Sequence, residues 1–159
     1  MDWLPFLRWL HIIGAAVLLG TGVGIAFFMV MAHRTKDARL IAHTARVVVI
    51  ADYLFTASAV VVQPITGLLL ASLIGWRLSE GWLVLSLLLY VLTGAFWLPV
   101  VWMQVRMKTL VEAAAKANGP LPDEYHRLYR LWFAFGFPAF FAVLAILWLM
   151  TNRPVLDLW

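Results

Sequence analysis

The sequence contains no cysteine and few charged side chains. The missing thiols exclude disulfides, thiolate metal sites, cysteine nucleophiles and covalently attached haem. Only 13% of the residues are charged, whereas 64% are hydrophobic and the mean hydropathy is +0.91. A chain of 159 residues cannot bury that much apolar surface in its own core, so the surplus is expected to face lipid.

Sequence signatures of soluble enzymes are also missing. There is no G-x-S-x-G, no P-loop, no dinucleotide fingerprint and no H-E-x-x-H. The net charge of +4 does not predict nucleic-acid binding, because the basic residues are divided among short segments between apolar stretches. We interpret these basic residues as signals for membrane topology and expect no nucleic-acid partner.

Four long apolar stretches predict four transmembrane helices. They cover about residues 4–32, 47–74, 82–105 and 131–150, and each reaches the ~20 residues that a helix needs to cross a bilayer. Short connections make consecutive helices antiparallel neighbours. We therefore predict an all-α fold, in which residues 1–159 form a single multi-pass domain, a four-helix transmembrane up-down bundle.

The distribution of Lys and Arg predicts the orientation of this bundle. The connections at 33–46 and 106–130 hold or adjoin nine of the twelve basic residues, and Arg8, Arg77 and Arg153 are the other three. Because cytoplasmic connections retain positive charge, the prediction is N-out and C-out in a bacterial inner membrane.

The first helix carries an ionisable residue, His11, within its apolar stretch. On the helical projection His11 shares a face with the small residues Gly14 and Ala15 and with Leu18. An ionisable residue inside a membrane segment is by default a functional-site hypothesis. The alternative is a packing seam, since small residues let membrane helices approach closely, with His11 bonded near the interface.

Polar residues form stripes on the second and third helices as well. A rise of about 1.5 Å per residue places His11, Gln63, Thr66 and Tyr90 in one layer, roughly 9–15 Å below the outer surface. Pro64 should leave a carbonyl near Gln63 without its helical donor. This layer is predicted to contact a cofactor or a quinone head group, or else to be a satisfied polar network that holds the bundle together.

Two further sets of ionisable residues lie toward the predicted cytoplasmic side. Asp52 is expected to form an ion pair with a basic residue such as Arg46, Arg106 or Arg130, with a proton-entry carboxylate as the alternative. His33 and His43 are expected to be solvated loop residues.

Several phrases of the sequence resemble a known family. "LRWLHIIGAAVLLGTGVGIAFFM", "VVQPITG" and "FWLPVVWMQ" resemble the bacterial predicted integral membrane proteins grouped as domain of unknown function 2269, over nearly the whole chain. The opening R-W-L-H-I-I-G resembles, more distantly, the HemJ-type protoporphyrinogen oxidases and the CopD membrane domain. The HemJ resemblance implies that His11 is a haem b ligand. That family also uses a lysine in a later membrane helix, whereas the lysines here all lie in the connections, so the resemblance does not extend to porphyrinogen oxidation.

We therefore expect a small b-type haem-binding redox protein, with His11 as the metal ligand. The cofactor-binding residues would be His11, Gly14, Gln63, Thr66 and Tyr90. The iron would be five-coordinate or bound by a second His11 across a homodimer, with a quinone or an electron-transfer protein as partner. The competing hypothesis is a non-catalytic membrane subunit or small-solute transporter, whose polar stripes serve packing or permeation. A CopD-like copper site is the third alternative, and a single intramembrane histidine makes it the weakest.

Overall fold

The computed structural model describes residues 3–156, and the regular structure in this range is helical throughout. The elements are α1 (Leu4–Arg34), α2 (Ala38–Ala51), a π-helical segment (Asp52–Thr56), α3 (Ala57–Ile74), α4 (Gly81–Ala117) and α5 (Asp123–Asn152). From Ala38 to Ile74 the chain is one continuous rod, so there are four long helices, each apolar enough to cross a bilayer. The predicted four-helix membrane bundle is confirmed.

The helices extend beyond the apolar stretches that predicted them. Residues 33–46 and 106–130 are mostly helical, and the breaks are limited to the turns around 35–37 and 118–122. The Asp37 side chain accepts from the backbone N–H of Arg39 and of Leu40 and so caps α2. Asn118, with φ 49°, ends α4 in the left-handed conformation. Hydropathy detects the part of a helix that faces lipid, which is shorter than the helix itself.

The bundle has two ends that differ in packing. At the loop end, which contains 35–37 and 118–122, α1, α2, α4 and α5 share one apolar core. Its most deeply buried members are Met29, Ile41, Met107, Val111 and Tyr125. At the terminal end, which contains residues 3 and 75–80, α3 packs on α1 and α4 packs on α5. The helices thus form two pairs at the terminal end and one core at the loop end.

The outer surface of the bundle is apolar along most of its length. Large side chains such as Phe28, Leu88, Val91 and Phe141 are more than half exposed. Exposure of an apolar surface of this extent to water would be unfavourable, whereas lipid solvates it. Near the loop end, by contrast, exposed ion pairs join Arg46 to Glu112 and Arg106 to Glu124.

Candidate functional site

The seam between α1 and α3 brings three of the predicted site residues together. His11 Nδ1 lies 2.8 Å from Thr66 Oγ1, and Gln63 Nε2 donates to the backbone oxygen of His11 at 3.1 Å. Gln63 and Thr66 are buried and His11 is half-buried. The three residues therefore lie in one layer near the terminal end, as their spacing predicts.

Two glycines allow this close approach of the helices. A Cβ added to Gly67 would lie 3.2 Å from His11 Cε1, and one added to Gly14 would lie 3.3 Å from the Gln63 amide. Each glycine thus receives a polar side chain of the facing helix. The space above Gly14, which the haem hypothesis assigned to a cofactor, is filled by the Gln63 side chain.

The hydrogen bonds of Thr66 favour one tautomer of His11. Thr66 Oγ1 lies 2.8 Å from the backbone oxygen of Val62 and 3.2 Å from that of Gln63. Threonine hydroxyls in helices commonly donate to the carbonyl four residues earlier, and a Thr66 hydroxyl that donates to Val62 accepts from His11 Nδ1–H. In this arrangement neutral His11 has its lone pair on Nε2, which receives no hydrogen bond from the residues between 3 and 156.

Tyr90 takes a different role from the one its depth suggested. Its hydroxyl donates to the backbone oxygen of Val60 and makes no hydrogen bond to His11, Gln63 or Thr66. The carbonyl of Val60 is the one that Pro64 leaves without a helical donor, because proline has no N–H. Tyr90 therefore joins α4 to α3, and the freed carbonyl predicted from Pro64 is already used.

A second polar cluster surrounds Asp52 at the start of the π-helical segment, where sequence reasoning expected an ion pair. That expectation is wrong: in the described part of the chain, Arg46 and Arg106 pair with glutamates and no cation lies within 4.0 Å of Asp52. Arg46 precedes Asp52 by six residues and so projects from another face of the rod. Trp97 Nε1 donates to Asp52 Oδ1 at 3.3 Å.

Gln104 completes the contacts of Asp52. Its amide lies between Asp52 and Trp132, and the Trp132 indole N–H can only donate. The amide oxygen of Gln104 must therefore face the Trp132 indole at 3.2 Å, which directs its NH₂ group to Asp52 Oδ2 at 3.0 Å. The π-helical turn that sets the register of Asp52 has no signal in the sequence.

The other histidines also differ in environment. His33, which was expected to be a solvated loop residue, lies in the last turn of α1. Its Nδ1 is 3.0 Å from the Tyr125 hydroxyl and its ring stacks on Tyr129 at 3.8 Å. Helix α1 continues two residues beyond the predicted apolar stretch, so His33 is helical and packs against α5. His43 is exposed, as expected, but it lies within α2 and not in a loop.

A metal site of several protein ligands is not formed by the residues described. Between residues 3 and 156 no group of three His, Asp or Glu side chains is placed to hold a metal ion. Among the residues described, the α1–α3 seam offers one imidazole, with Nδ1 bonded to Thr66 and Nε2 without a hydrogen-bond partner. It can therefore supply a single nitrogen ligand.

Comparison with protein-family models gives a match over nearly the whole chain. The family model for predicted integral membrane proteins, DUF2269, matches residues 5–154. No curated protein and no solved structure matches the chain. With nearly its full length covered and four membrane-spanning helices in its fold, the chain belongs to the DUF2269 family of predicted integral membrane proteins.

Proposed function

We propose that this protein binds b-type haem through His11 and serves in electron transfer within the membrane. The observation that supports the proposal is the Nε2 atom of His11, which receives no hydrogen bond from residues 3–156 and carries the lone pair in the tautomer that the Thr66 contacts favour. Metal-binding histidines commonly donate a hydrogen bond from the N–H of their second ring nitrogen to a fixed acceptor, which sets the orientation of the ring. Thr66 is that acceptor here, at 2.8 Å.

The neighbours of His11 restrict how a haem would bind. Gly67 lies against the Cε1 edge of the ring, and Gln63 fills the space above Gly14. The α1–α3 seam itself is therefore closed, and the group would approach the half-exposed side of His11. At such a surface a second copy of the chain would bring a second His11 to hold the same haem. Bound haem supplies one-electron redox chemistry, while His11 holds the iron and Thr66 orients the imidazole.

The expected surroundings of the site follow from its position in the bundle. His11 lies near the terminal end, which is the outer side if the nine basic residues of the other end remain in the cytoplasm. We place the protein in a bacterial inner membrane with this site toward the outer surface. A quinone or an electron-transfer protein on that side would be its redox partner.

A second function is favoured by a specific observation, the fit of His11 on Gly67 and of Gln63 on Gly14. In this alternative the polar layer only holds α1 on α3, and the protein is a non-catalytic membrane subunit. Small residues at such seams are a common means of helix association in membranes. The two functions differ in whether His11 Nε2 binds anything.

Absorption spectroscopy separates the two functions. The wild-type protein and the variants His11→Ala and His43→Ala are purified in detergent from haem-supplemented cells, and spectra are taken before and after dithionite reduction. Haem binding at His11 predicts a Soret band that shifts on reduction, persists in His43→Ala and is lost in His11→Ala. Featureless spectra in all three proteins would support the packing function instead.

A further inference from the structure

The carboxyl group of Asp52 is buried in the apolar interior of the bundle. Asp52 is 3% exposed and begins the π-helical segment, which interrupts the rod between α2 and α3. Single π-helical turns inside α-helices are frequent at functional sites. An ionisable group at such a position is costly to bury and is retained in membrane proteins chiefly for function.

The groups that contact Asp52 are neutral. Trp97 and Gln104 of α4 donate to its two oxygens, and Thr56 lies one turn further along its own rod. From α5 the cluster receives only the indole of Trp132, through Gln104.

None of the three arginines expected near Asp52 forms an ion pair with it, and for Arg130 of α5 the structure records no ion pair within 4.0 Å. Arg46 on α2 pairs with Glu112, and Arg106 on α4 pairs with Glu124. On α1, His33 bonds Tyr125 of α5 at the loop end, and His11 bonds Thr66 of α3 at the terminal end. In the part of the chain that the structure describes, no charged side chain therefore compensates a negative charge on Asp52.

Thr56 is the one neighbour whose hydrogen-bonding role can change. Its hydroxyl is buried and lies beside the Asp52 carboxyl group, but it makes no hydrogen bond of standard geometry to a described atom. The indole of Trp97 and the NH₂ of Gln104 can only donate, whereas a hydroxyl donates to a carboxylate and accepts from a carboxylic acid. A small shift of Thr56 therefore serves both protonation states of Asp52.

We propose that Asp52 is a reversible proton-binding site within the membrane domain, with Thr56 as the partner that adapts to both states. On uptake, a proton from water forms an O–H bond with a carboxylate oxygen, and the acid donates to Thr56. On release, the proton returns to water and the Thr56 hydroxyl donates to the carboxylate. Metal cations fit the site poorly, because hard cations bind several oxygens and the donors here direct hydrogens at the carboxylate.

Close packing separates this site from the loop end. Beside Gln104, the side chains of Met29, Ala45, Val48 and Met107 line a gap too small for a water molecule. Two of these residues are methionines, which repack readily because their side chains are unbranched and flexible. Proton exchange from the loop end thus requires a local opening of this layer. The proposal does not depend on haem binding at His11.

Infrared difference spectroscopy of the full-length protein during a pH titration tests this site. Wild type is compared with Asp52→Asn, which keeps the shape of the side chain, and with Asp37→Asn, which alters an exposed carboxyl group. We expect a carboxylic-acid C=O band that appears and disappears with pH in wild type and in Asp37→Asn, and that is missing in Asp52→Asn. In Thr56→Val the midpoint should move by about one pH unit, the size expected for one altered hydrogen bond.

A second measurement assigns the band without relying on the folding of the Asp52→Asn variant. Wild-type protein labelled with ¹³C at the aspartate carboxyl carbons should show the same pH-dependent band, displaced by the isotope. A band that does not change with pH would make Asp52 a fixed structural acid, and a band that persists in folded Asp52→Asn would assign the proton to another residue. Either result would overturn the proposal.

Discussion

Tyr90 of α4 donates its hydroxyl proton to the backbone oxygen of Val60, across the line along which the two helix pairs separate. The acceptor exists because Pro64, four residues further along α3, has no N–H to give it. One proline thus creates the acceptor that a tyrosine of another helix uses. Inside a bilayer no water is available to hydrogen-bond to such a carbonyl, so the hydrogen bond from Tyr90 stabilises the bundle.

Replacing Tyr90 by Phe should destabilise the protein by about 1 kcal/mol, the size of a typical hydrogen bond inside a membrane protein. The ring remains, and only the donor to Val60 is lost. Unfolding in mixed detergent micelles measures the change. Tyr53→Phe is the matched control, because Tyr53 is 60% exposed and should be replaceable without effect.

The same contact can be isolated with a double-mutant cycle. In Pro64→Ala the new backbone N–H is available to Val60, so the loss of the Tyr90 hydroxyl should matter less in that background. Equal effects of Tyr90→Phe in the presence and absence of Pro64 would show that the freed carbonyl is not what Tyr90 stabilises.

Thr66→Val should weaken haem retention while leaving His11 in place. The variant removes the acceptor of His11 Nδ1–H, and the loss of such an orienting partner typically lowers metal affinity about 10–100-fold. Titration of apoprotein with haem gives the affinity. Thr93→Val is the control, since the Thr93 hydroxyl bonds only to Leu89 of its own helix. If both variants bound haem as wild type does, Thr66 would have no part in orienting the ring.

Gly67→Ala should displace the His11 ring. The added Cβ would lie 3.2 Å from Cε1, so the ring must move and lengthen its bond to Thr66. Overpacking of this kind destabilises by about 1–3 kcal/mol. Gly22→Ala is the comparison, because its Cβ would meet nothing within 4 Å. Thermal unfolding of the two variants should therefore differ, and equal stabilities would contradict a tight seam.

The sequence predicts those features that depend on one helix at a time. The four spans, the face shared by His11 and Gly14 and the carbonyl freed by Pro64 all follow from local periodicity and from the chemistry of proline. Hydrogen-bond partners on different helices are harder to predict. The rise per residue gives the depth of a side chain in the membrane, but it does not give the rotation of each helix about its axis or the distance between helices. Tyr90 lies at the expected depth, yet it reaches Val60 instead of His11.

Asp52 shows the same limit more clearly. Its predicted ion pair assumed that arginines near in depth are also near in space, but Arg46 lies on another face and pairs with Glu112. The π-helical turn then directs Asp52 toward the indole of Trp97. Such a turn depends on packing between helices, so no pattern in a single segment predicts it.

The orientation predicted from the basic residues is open to a direct labelling test. The chain has no cysteine, so single cysteines introduced at Ser79 and Ala117 would be labelled without background from other thiols of the protein. Both positions are exposed, at the terminal end and near the loop end respectively. A membrane-impermeant maleimide should label Ser79→Cys in intact cells and Ala117→Cys only after permeabilisation. The reverse pattern would contradict the N-out arrangement.

The measurement that tests the central claim most directly is imidazole rescue of His11→Gly. This variant removes the ligand and leaves space for free imidazole beside Thr66. If His11 holds haem, the purified variant should lack the wild-type Soret band and regain it when haem and imidazole are added together. A variant that keeps the wild-type spectrum without imidazole, or one that imidazole cannot restore although its helical content is that of wild type, would contradict His11 as the haem ligand.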